Sequence, residues 1–462
     1  MGIGGSALAG VAILAKKAGF KVSGCDLEKE TAYSASLSKF KIKPLVGHDE
    51  SHLKGVDLVA VSPALLFQQP LSTELVEAER RGLLLTWQEF QGRFLQKDKM
   101  VIAVAGTHGK STITAMIGLL LMKGGLDPTV EVGALVPQWG ATARFGRSQF
   151  FVCEADEFNY NFLNYSPAVI IINNLEMDHP EFFKDFPQFL EAFVKFIQKI
   201  KPPKIFIVNE ESVGIQLLLK KMRNWLSKEK VKTIGVFLEK NFPYPFSAEY
   251  QGSVLAQKPS LTKFLLKKDE TQEEFVLKVP GSHQVQNALV ALACGFELGI
   301  APVKMKQALV DFQGVGRRFE LVGEERGVKV YDDYAVHPTA IVATLKAAHQ
   351  QYPGQKIWAV FEPHQFSRLK LFLSDFVQAL SLADQVVVTA IFQGREKNNH
   401  LVKAEQLVGL LGEKAFYEPD FQTLAEKVSQ KVKKGDVIIV FGAGKSYQLS
   451  RQILKKLNDK ES

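Results

Sequence analysis

The chain has 462 residues, 46% of them hydrophobic and 23% charged; at roughly 150 residues per domain this implies about three domains and excludes a disordered or fibrous protein. Its longest apolar runs, at 117–122 and 168–172, fall short of the ~20 residues that span a bilayer, and no basic stretch leading into an apolar run and cleavage site signals secretion. The net charge of +8 comes from 57 Lys+Arg against 49 Asp+Glu, and clusters such as Lys220–Lys221, Lys433–Lys434 and Lys455–Lys456 suit helix ends facing solvent better than a nucleic-acid surface.

Short β-branched runs alternate with amphipathic stretches, which predicts βαβ units and parallel sheets. Strands are expected at FKVSGCD and VDLVAVSP, each followed by a helix. The charged KDKM at 97–100 ends this unit. A second opens with VIAVAG and a helix from near Ser111, then strands FFVCEAD (150–156), AVIIINN (168–174) and KIFIVN (204–209), with the helix PQFLEAFVKFIQ between the last two. From about 250 to 280 the runs SVLA, KFLLK and EEFVLKV predict a small antiparallel patch. Helices near 284–299 and 303–311 lead into GVGRRFE. Strands VKVYDD, KIWAVFE, DQVVVTA and DVIIVFG then alternate with helices as a third doubly wound unit. The expected domains are 1–96, 97–312 and 313–462. Cys25, Cys153 and Cys294 are far apart in apolar surroundings. They read as buried thiols of a reducing, cytoplasmic compartment rather than as a disulfide framework or metal cluster.

The strongest local signal is VIAVAGTHGKST at 101–112, a buried strand entering a glycine-rich turn and a helix. Gly106 and Gly109 let backbone N–H groups curl around phosphate oxygens, Lys110 can reach the outer phosphates, and Ser111 can ligate a magnesium ion. Val104 stands where the eight-residue P-loop pattern has its first glycine. The strand FVCEADEF ends in three carboxylates, and the period of two puts Glu154 and Asp156 on one side, where they can share a cation. An acidic strand end exposed to water is the alternative. INNLEMDH brings Asn173, Asn174, Asp178 and His179 to the end of a third strand, as a turn or, beside a phosphate loop, as part of a two-metal nucleotide site.

These residues resemble the Mur ligase family of ATP-dependent amide-forming enzymes, over almost the whole chain. GTHGKST (Gly106, Thr107, His108, Gly109, Lys110, Ser111, Thr112) is similar to that family's phosphate loop, EADE to its magnesium-binding strand end, and NNLEMDH to its Asn/Asp-His segment. The resemblance implies Lys110 on the γ-phosphate and Ser111, Glu154 and His179 on magnesium, expected as two ions. GSHQVQNALVALA resembles the segment whose second Asn contacts adenine, here Asn287, with Gln284 replacing the first. GVGRRFE implies Arg318 on the nucleotide. YDDYAVHPTAI and FEPHQFSR resemble the branch that adds L-alanine. By that likeness Asp333 binds ribose, Tyr334 and His337 face the reacting centre, and His364 and Arg368 position the amino acid. Val336 and Gln365 replace a histidine and an arginine of the pattern. Read without the resemblance, Arg317–Arg318 is as well explained by surface charge.

At the start, GIGGSALAG and SGCD look like a dinucleotide-type turn and acidic strand end. In the alanine-adding branch this turn holds a uridine diphosphate, which implies Gly2, Gly4, Gly5, Ser6, Asp26 and Ser62 as contacts. The strand that normally precedes the turn is apparently missing. The resemblance thus implies three α/β domains, with Rossmann-like ends and a central P-loop ATPase-like, mostly parallel sheet. The implied reaction joins L-alanine to UDP-N-acetylmuramate through an acyl-phosphate, with Lys110, His179 and His337 catalytic and His337 as the base. The expected substrates are UDP-N-acetylmuramate, L-alanine and ATP, with no nucleic acid and no membrane insertion, in a monomer or weak homodimer. The alternatives are a recycling ligase that attaches a tripeptide and a non-catalytic nucleotide-sugar-binding protein.

Overall fold

The computed structural model describes residues 1–238, 249–394, 396 and 401–459. Its strands, in chain order, are β1 (Cys25–Asp26), β2 (Leu45–Val46), β3 (Val59–Val61), β4 (Leu84–Thr86), β5 (Met100–Ala105), β6 (Thr129–Val136), β7 (Ala141–Arg144), β8 (Phe150–Glu154), β9 (Val169–Ile172) and β10 (Ile205–Asn209). They continue with β11 (Lys232–Leu238), β12 (Tyr250–Lys258), β13 (Leu261–Lys268), β14 (Thr271–Leu277), β15 (Glu320–Glu325), β16 (Val328–Asp333), β17 (Ile357–Phe361), β18 (Gln385–Val388), β19 (Ala415–Tyr417) and β20 (Val437–Phe441).

A ten-stranded sheet in the order β14-β13-β12-β11-β10-β9-β5-β8-β6-β7 occupies the middle of the chain. Its pairs from β12 through β6 are parallel, and antiparallel hairpins finish both edges. The alternation along β5 explains its place at the centre. Ile102 and Val104 join the core beneath helices Lys110–Lys123 and Ser282–Glu297, whereas Val101, Ala103 and Ala105 join that beneath Phe186–Ile197 and Val213–Lys228. A strand buried on both faces reads as a continuous apolar run, which is why β5, β9 and β10 are legible in the sequence. The expected antiparallel patch is present as β12–β14, but it extends the large sheet through the β11–β12 pair rather than standing apart. The hairpin β6–β7 is unforeseen, its turn PQWG carrying no strong hairpin signal.

The C-terminal sheet runs β15-β16-β20-β17-β18-β19, parallel except for the β15–β16 edge pair. Helices cover both faces, giving two cores around Ile357–Phe361 and Val437–Phe441. The N-terminal unit holds two parallel pairs, β1–β2 and β3–β4. No strand precedes the glycine turn among the described residues. Instead Met1 donates its amine to the Ala60 carbonyl at 2.7 Å and accepts from Ser62 N, while Gly2 and Ile3 donate to the Cys25 carbonyl. Backbone bonds from three residues therefore bridge the two pairs. Among the described residues no helix is long and apolar enough to cross a membrane.

Candidate functional site

The strand β5 delivers the phosphate loop to the C-terminal edge of the large sheet, where ligands gather in open α/β folds. Gly106 and Gly109 adopt φ of 117° and 88°, conformations that glycine reaches at little cost. A Cβ on Gly109 would lie 2.5 Å from Asn287 Oδ1, and one on Gly106 would lie 2.8 Å from the Asn174 carbonyl. Gly109 caps the helix Lys110–Lys123, whose first-turn N–H groups and dipole face the loop's concavity. The segment after β9 holds this loop in place. His108 N donates to Asn174 Oδ1 at 2.7 Å, Thr107 N donates to the Asn174 carbonyl, and Thr107 Oγ1 exchanges hydrogen bonds with the backbone of Glu176.

Lys110 leans across the loop. Its ammonium donates to the Gly106 carbonyl at 2.7 Å and to both oxygens of Glu157, at 3.2 and 3.1 Å. Burial works against the charge, but Glu157 and Asp156 outweigh it and hold the lysine above its ordinary pKa. Burial raises Glu157, with Lys110 opposing. Asp156, Glu157 and His179 bring donor atoms within 4.8 Å of one another. Glu154 closes β8, where it accepts from Gly133 N and from the Ser111 hydroxyl, and burial raises its pKa. The strand ends at Glu154, so the alternation expected to put Glu154 and Asp156 on one strand side does not extend to Asp156. Glu131 on β6, 1% exposed and lining the same cavity, is pushed well above the carboxylate range by burial and then by Glu154.

His179 stands at φ 53°, with Nδ1 3.1 Å from Glu181 Oε1. Burial depresses its imidazolium, but Asp178 and Glu181 prevail and raise its pKa. Asp178 meets Arg368 of the C-terminal unit: the guanidinium Nη2 and Nε donate to its Oδ1 at 2.6 and 3.2 Å. Although burial opposes ionisation, Arg368 holds Asp178 well below its usual pKa. Arg368 also donates to the His364 carbonyl at 2.8 Å, and the His364 ring stacks on Phe392. Of the RR pair, Arg317 is committed to Asp332, Gly442 and Ser446, whereas Arg318 lines the cavity and stacks on Tyr334. Neither is the exposed surface charge that composition alone allows. Asp333 ends β16 and accepts from Phe319 N, Ala335 N and Thr344 Oγ1. Asn287 is 4% exposed, bonded to Asn173 and Gln284 behind the phosphate loop.

His337 caps the helix Pro338–Gln351 and accepts through Nδ1 from Thr339 N at 3.3 Å. His337 lines the cavity, and its neutral ring carries the proton on Nε2, a buried atom that meets no hydrogen-bond partner among the described residues. Burial, reinforced by His108 4.9 Å away, lowers its pKa to about 4. With Nδ1 engaged by the cap, this arrangement leaves the neutral ring no free acceptor nitrogen, which differs from the general base that the resemblance implies.

Most of these groups, among them Lys110, Glu131, Glu154, His179, Arg318, Asp333, His337 and Arg368, line one cavity of about 960 Å³ that all three parts of the chain bound. Ser6 and Ala7 line it from the N-terminal unit. Around them the turn is held by Gly4 N donating to Asp26 Oδ2 at 2.8 Å and by Gly2 packing on Ser62; Gly5 caps the helix Ser6–Lys17. Thr339 Oγ1 donates to Glu176 Oε2 at 2.7 Å, joining the C-terminal helix to the loop that grips the phosphate turn. Sequence reasoning passed over Glu157, Glu131, Glu176 and Glu181. Glu157 and Glu176 lie inside quoted motifs, but only the folded chain shows which carboxylates turn inward.

A phosphate loop, an acidic cluster beyond the neighbouring strand, and a facing C-terminal α/β unit define a nucleotide-dependent α/β enzyme. Family descriptions match nearly end to end: "Mur ligase family, catalytic domain" over residues 1–97, "Mur ligase middle domain" over 104–295, and "Mur ligase, glutamate ligase domain" over 317–444. The chain is 36% identical to a UDP-N-acetylmuramate–L-alanine ligase of Caldicellulosiruptor bescii, covering 99% of this chain and 98% of that one. It is 34% identical to a ligase of the same name from Alkaliphilus metalliredigens, covering 98% and 96%. The crystal structure of a UDP-N-acetylmuramate–alanine ligase from Thermotoga maritima superposes with a TM-score of 0.81 at 27% identity, covering 99% and 98%. A murein peptide ligase from Psychrobacter arcticus shares the fold, with a TM-score of 0.76 at 23% identity and the same coverage. The chain belongs to the Mur ligase family.

Proposed function

We propose that this chain joins L-alanine to the carboxylate of UDP-N-acetylmuramate at the expense of ATP, in the cytoplasm, as a monomer or weak homodimer. The observation that carries the reading is Lys110, held between the phosphate loop and Glu157 at the mouth of a cavity that all three parts of the chain line. In this reading residues 1–96 hold the uridine diphosphate around Gly2, Gly4, Gly5, Ser6, Asp26 and Ser62. Residues 97–312 hold ATP and residues 313–462 hold the amino acid and part of the nucleotide.

The lactyl carboxylate attacks the γ-phosphorus, ADP departs, and an acyl-phosphate remains. The Lys110 ammonium and the first-turn N–H groups of its helix meet the charge that develops on the transferring phosphoryl group. The acidic cluster of Asp156 and Glu157 with the imidazole of His179, and Glu154 beside Ser111 on the same cavity, would suit a hard divalent cation. Magnesium held there, as two ions, supplies further charge neutralisation. Thr107, Thr112, Asn287, Arg318 and Asp333 orient the nucleotide. His337 offers Nε2–H to an oxygen of the acyl-phosphate, while Tyr334, His364 and Arg368 bound the place of the incoming amine. Nitrogen then attacks the acyl carbon and phosphate leaves. Closure of the three units that line the cavity would keep water from the acyl-phosphate.

Phosphate release by the purified chain with Mg·ATP and UDP-N-acetylmuramate tests this. L-alanine, glycine, L-serine and the L-Ala-γ-D-Glu-diaminopimelate tripeptide are offered separately. Turnover with L-alanine supports the reading, turnover with the tripeptide alone moves the chain to recycling, and silence with every acceptor refutes ligase activity.

A further inference from the structure

Away from the cavity, the N-terminal unit buries a second group of metal-ligand side chains. Cys25 opens β1, His48 follows β2, and Glu74 lies in the first turn of the helix Thr73–Arg80. Cys25 Sγ stands 3.2 Å from His48 Nδ1 and 3.2 and 3.0 Å from the two oxygens of Glu74, and His48 Nδ1 is 3.2 Å from Glu74 Oε2. Cys25 is 1% exposed and Glu74 3%. The three donor atoms form a nearly regular triangle. Around a tetrahedral zinc ion, with Zn–S of about 2.3 Å and Zn–N or Zn–O of about 2.0–2.1 Å, ligand atoms sit roughly 3.3–3.6 Å apart. The triangle needs to open by only a few tenths of an ångström to become one face of such a site.

A fourth donor lies beside the three, outside their compact set, and would swing inward to complete it. His52, on the one-turn helix Glu50–Leu53, brings Nδ1 to 3.5 Å from Glu74 Oε2, and this buried nitrogen has no hydrogen-bond partner among the described residues. Hydrogen bonding alone thus leaves the His52 nitrogen unsatisfied, which native interiors generally avoid.

We propose that Cys25, His48 and Glu74, completed by His52, form a structural zinc site. One thiolate, one carboxylate and two neutral imidazoles balance a divalent ion, so the filled site is neutral and compatible with burial. Sulfur and imidazole donors favour zinc over magnesium or calcium, which take oxygen ligands. On binding, the Cys25 S–H bond breaks, the proton leaves to solvent, and sulfur bonds the metal, with no change in oxidation state. The ion joins β1 to the helix Thr73–Arg80, so it steadies the Cys25 carbonyl that receives Gly2 N and Ile3 N. The donors lie 23 and 49 positions from Cys25, which is why the cysteine spacing gives no sign of a metal cluster.

The test uses the full chain, stripped with a chelator and titrated with Zn²⁺ or Co²⁺ alone, without nucleotide. The expected result is one tightly held zinc per chain, a thiolate-to-cobalt charge-transfer band in the near ultraviolet, and a higher melting temperature with zinc. Cys25→Ser abolishes the band and weakens zinc by more than the roughly 10–100-fold that loss of an outer-shell partner costs, whereas Cys153→Ser keeps both. If Cys25→Ser does not fold, His52→Ala serves instead, keeping the band while binding zinc more weakly. A wild-type chain without the cobalt–thiolate band overturns the proposal, as does zinc bound equally tightly by wild type and Cys25→Ser.

Discussion

The Arg368–Asp178 pair links the C-terminal unit to the loop that grips the phosphate turn, and its burial makes it a sharp test. Arg368 is 2% exposed and donates twice to Asp178 Oδ1, at 2.6 and 3.2 Å. At an effective dielectric of about 20, unit charges about 4 Å apart attract by about 4 kcal/mol. That agrees with the ~3–5 kcal/mol lost when one member of a buried pair is removed and its partner is left uncompensated. Asp178→Asn should therefore loosen the docking of the C-terminal unit by about that amount. Arg368→Met combined with Asp178→Asn should recover much of the loss, since no unpaired charge is then buried. Hydrogen exchange around 364–371 reads the docking locally, which matters because a chain of several units need not unfold in one step. A loss below about 1 kcal/mol in Asp178→Asn, or strict additivity in the double variant, refutes the claim that this pair is a desolvated, coupled unit.

Three further outcomes are expected. Lys110→Met should lower phosphate release at least ~10²–10³-fold. It also leaves Glu157 buried without its cation, so adding Glu157→Gln should raise the melting temperature above that of Lys110→Met alone. Gly109→Ala places a methyl 2.5 Å from Asn287 Oδ1 and 2.9 Å from Asn173 Nδ2 at φ 88°; KM for ATP should rise at least ~10-fold, about 1.4 kcal/mol. His337 falls from 6.5 to about 4 on folding, so between those values the unfolded chain binds the proton better, and stability is lost as pH drops from 6.5 towards 4. The shift is worth about 3 kcal/mol. His337→Gln should flatten that part of a denaturation-midpoint profile, and an unchanged slope contradicts the assignment.

The phosphate loop is legible in the sequence because its chemistry is local: strand, glycines and helix start are contiguous from Met100 to Lys123. The buried strands are legible for the same reason. The carboxylates are not. FVCEADEF offers three, and the end of β8 at Glu154, followed by positive φ at Asn159 and Tyr160, decides that Glu157 turns onto Lys110. Asp178 is visible in its motif, but its partner lies 190 positions away. The role of His337 depends on a cap: the bond from Thr339 N fixes the tautomer, and no spacing in YAVHPTAI announces it. The short strands of the N-terminal unit are shorter still than FKVSGCD and VDLVAVSP suggest, since among the described residues each pairs with only one other strand.

Between Asn173 and Glu181, one short stretch of backbone serves four clients. Its start grips the phosphate turn, Glu176 receives the C-terminal helix, Asp178 receives Arg368, and Glu181 braces His179. Three of these partners are fixed to different elements outside the stretch, so it cannot be lengthened or shortened by a residue without putting at least one contact out of register. The tight turn at Asp269–Glu270, by contrast, joins two strands at the sheet edge, where exposed hairpin tips tolerate added residues. Selection on this chain should therefore act on the number of residues from 173 to 181 as strongly as on their identity, and insertions and deletions should accumulate at the hairpin tips instead.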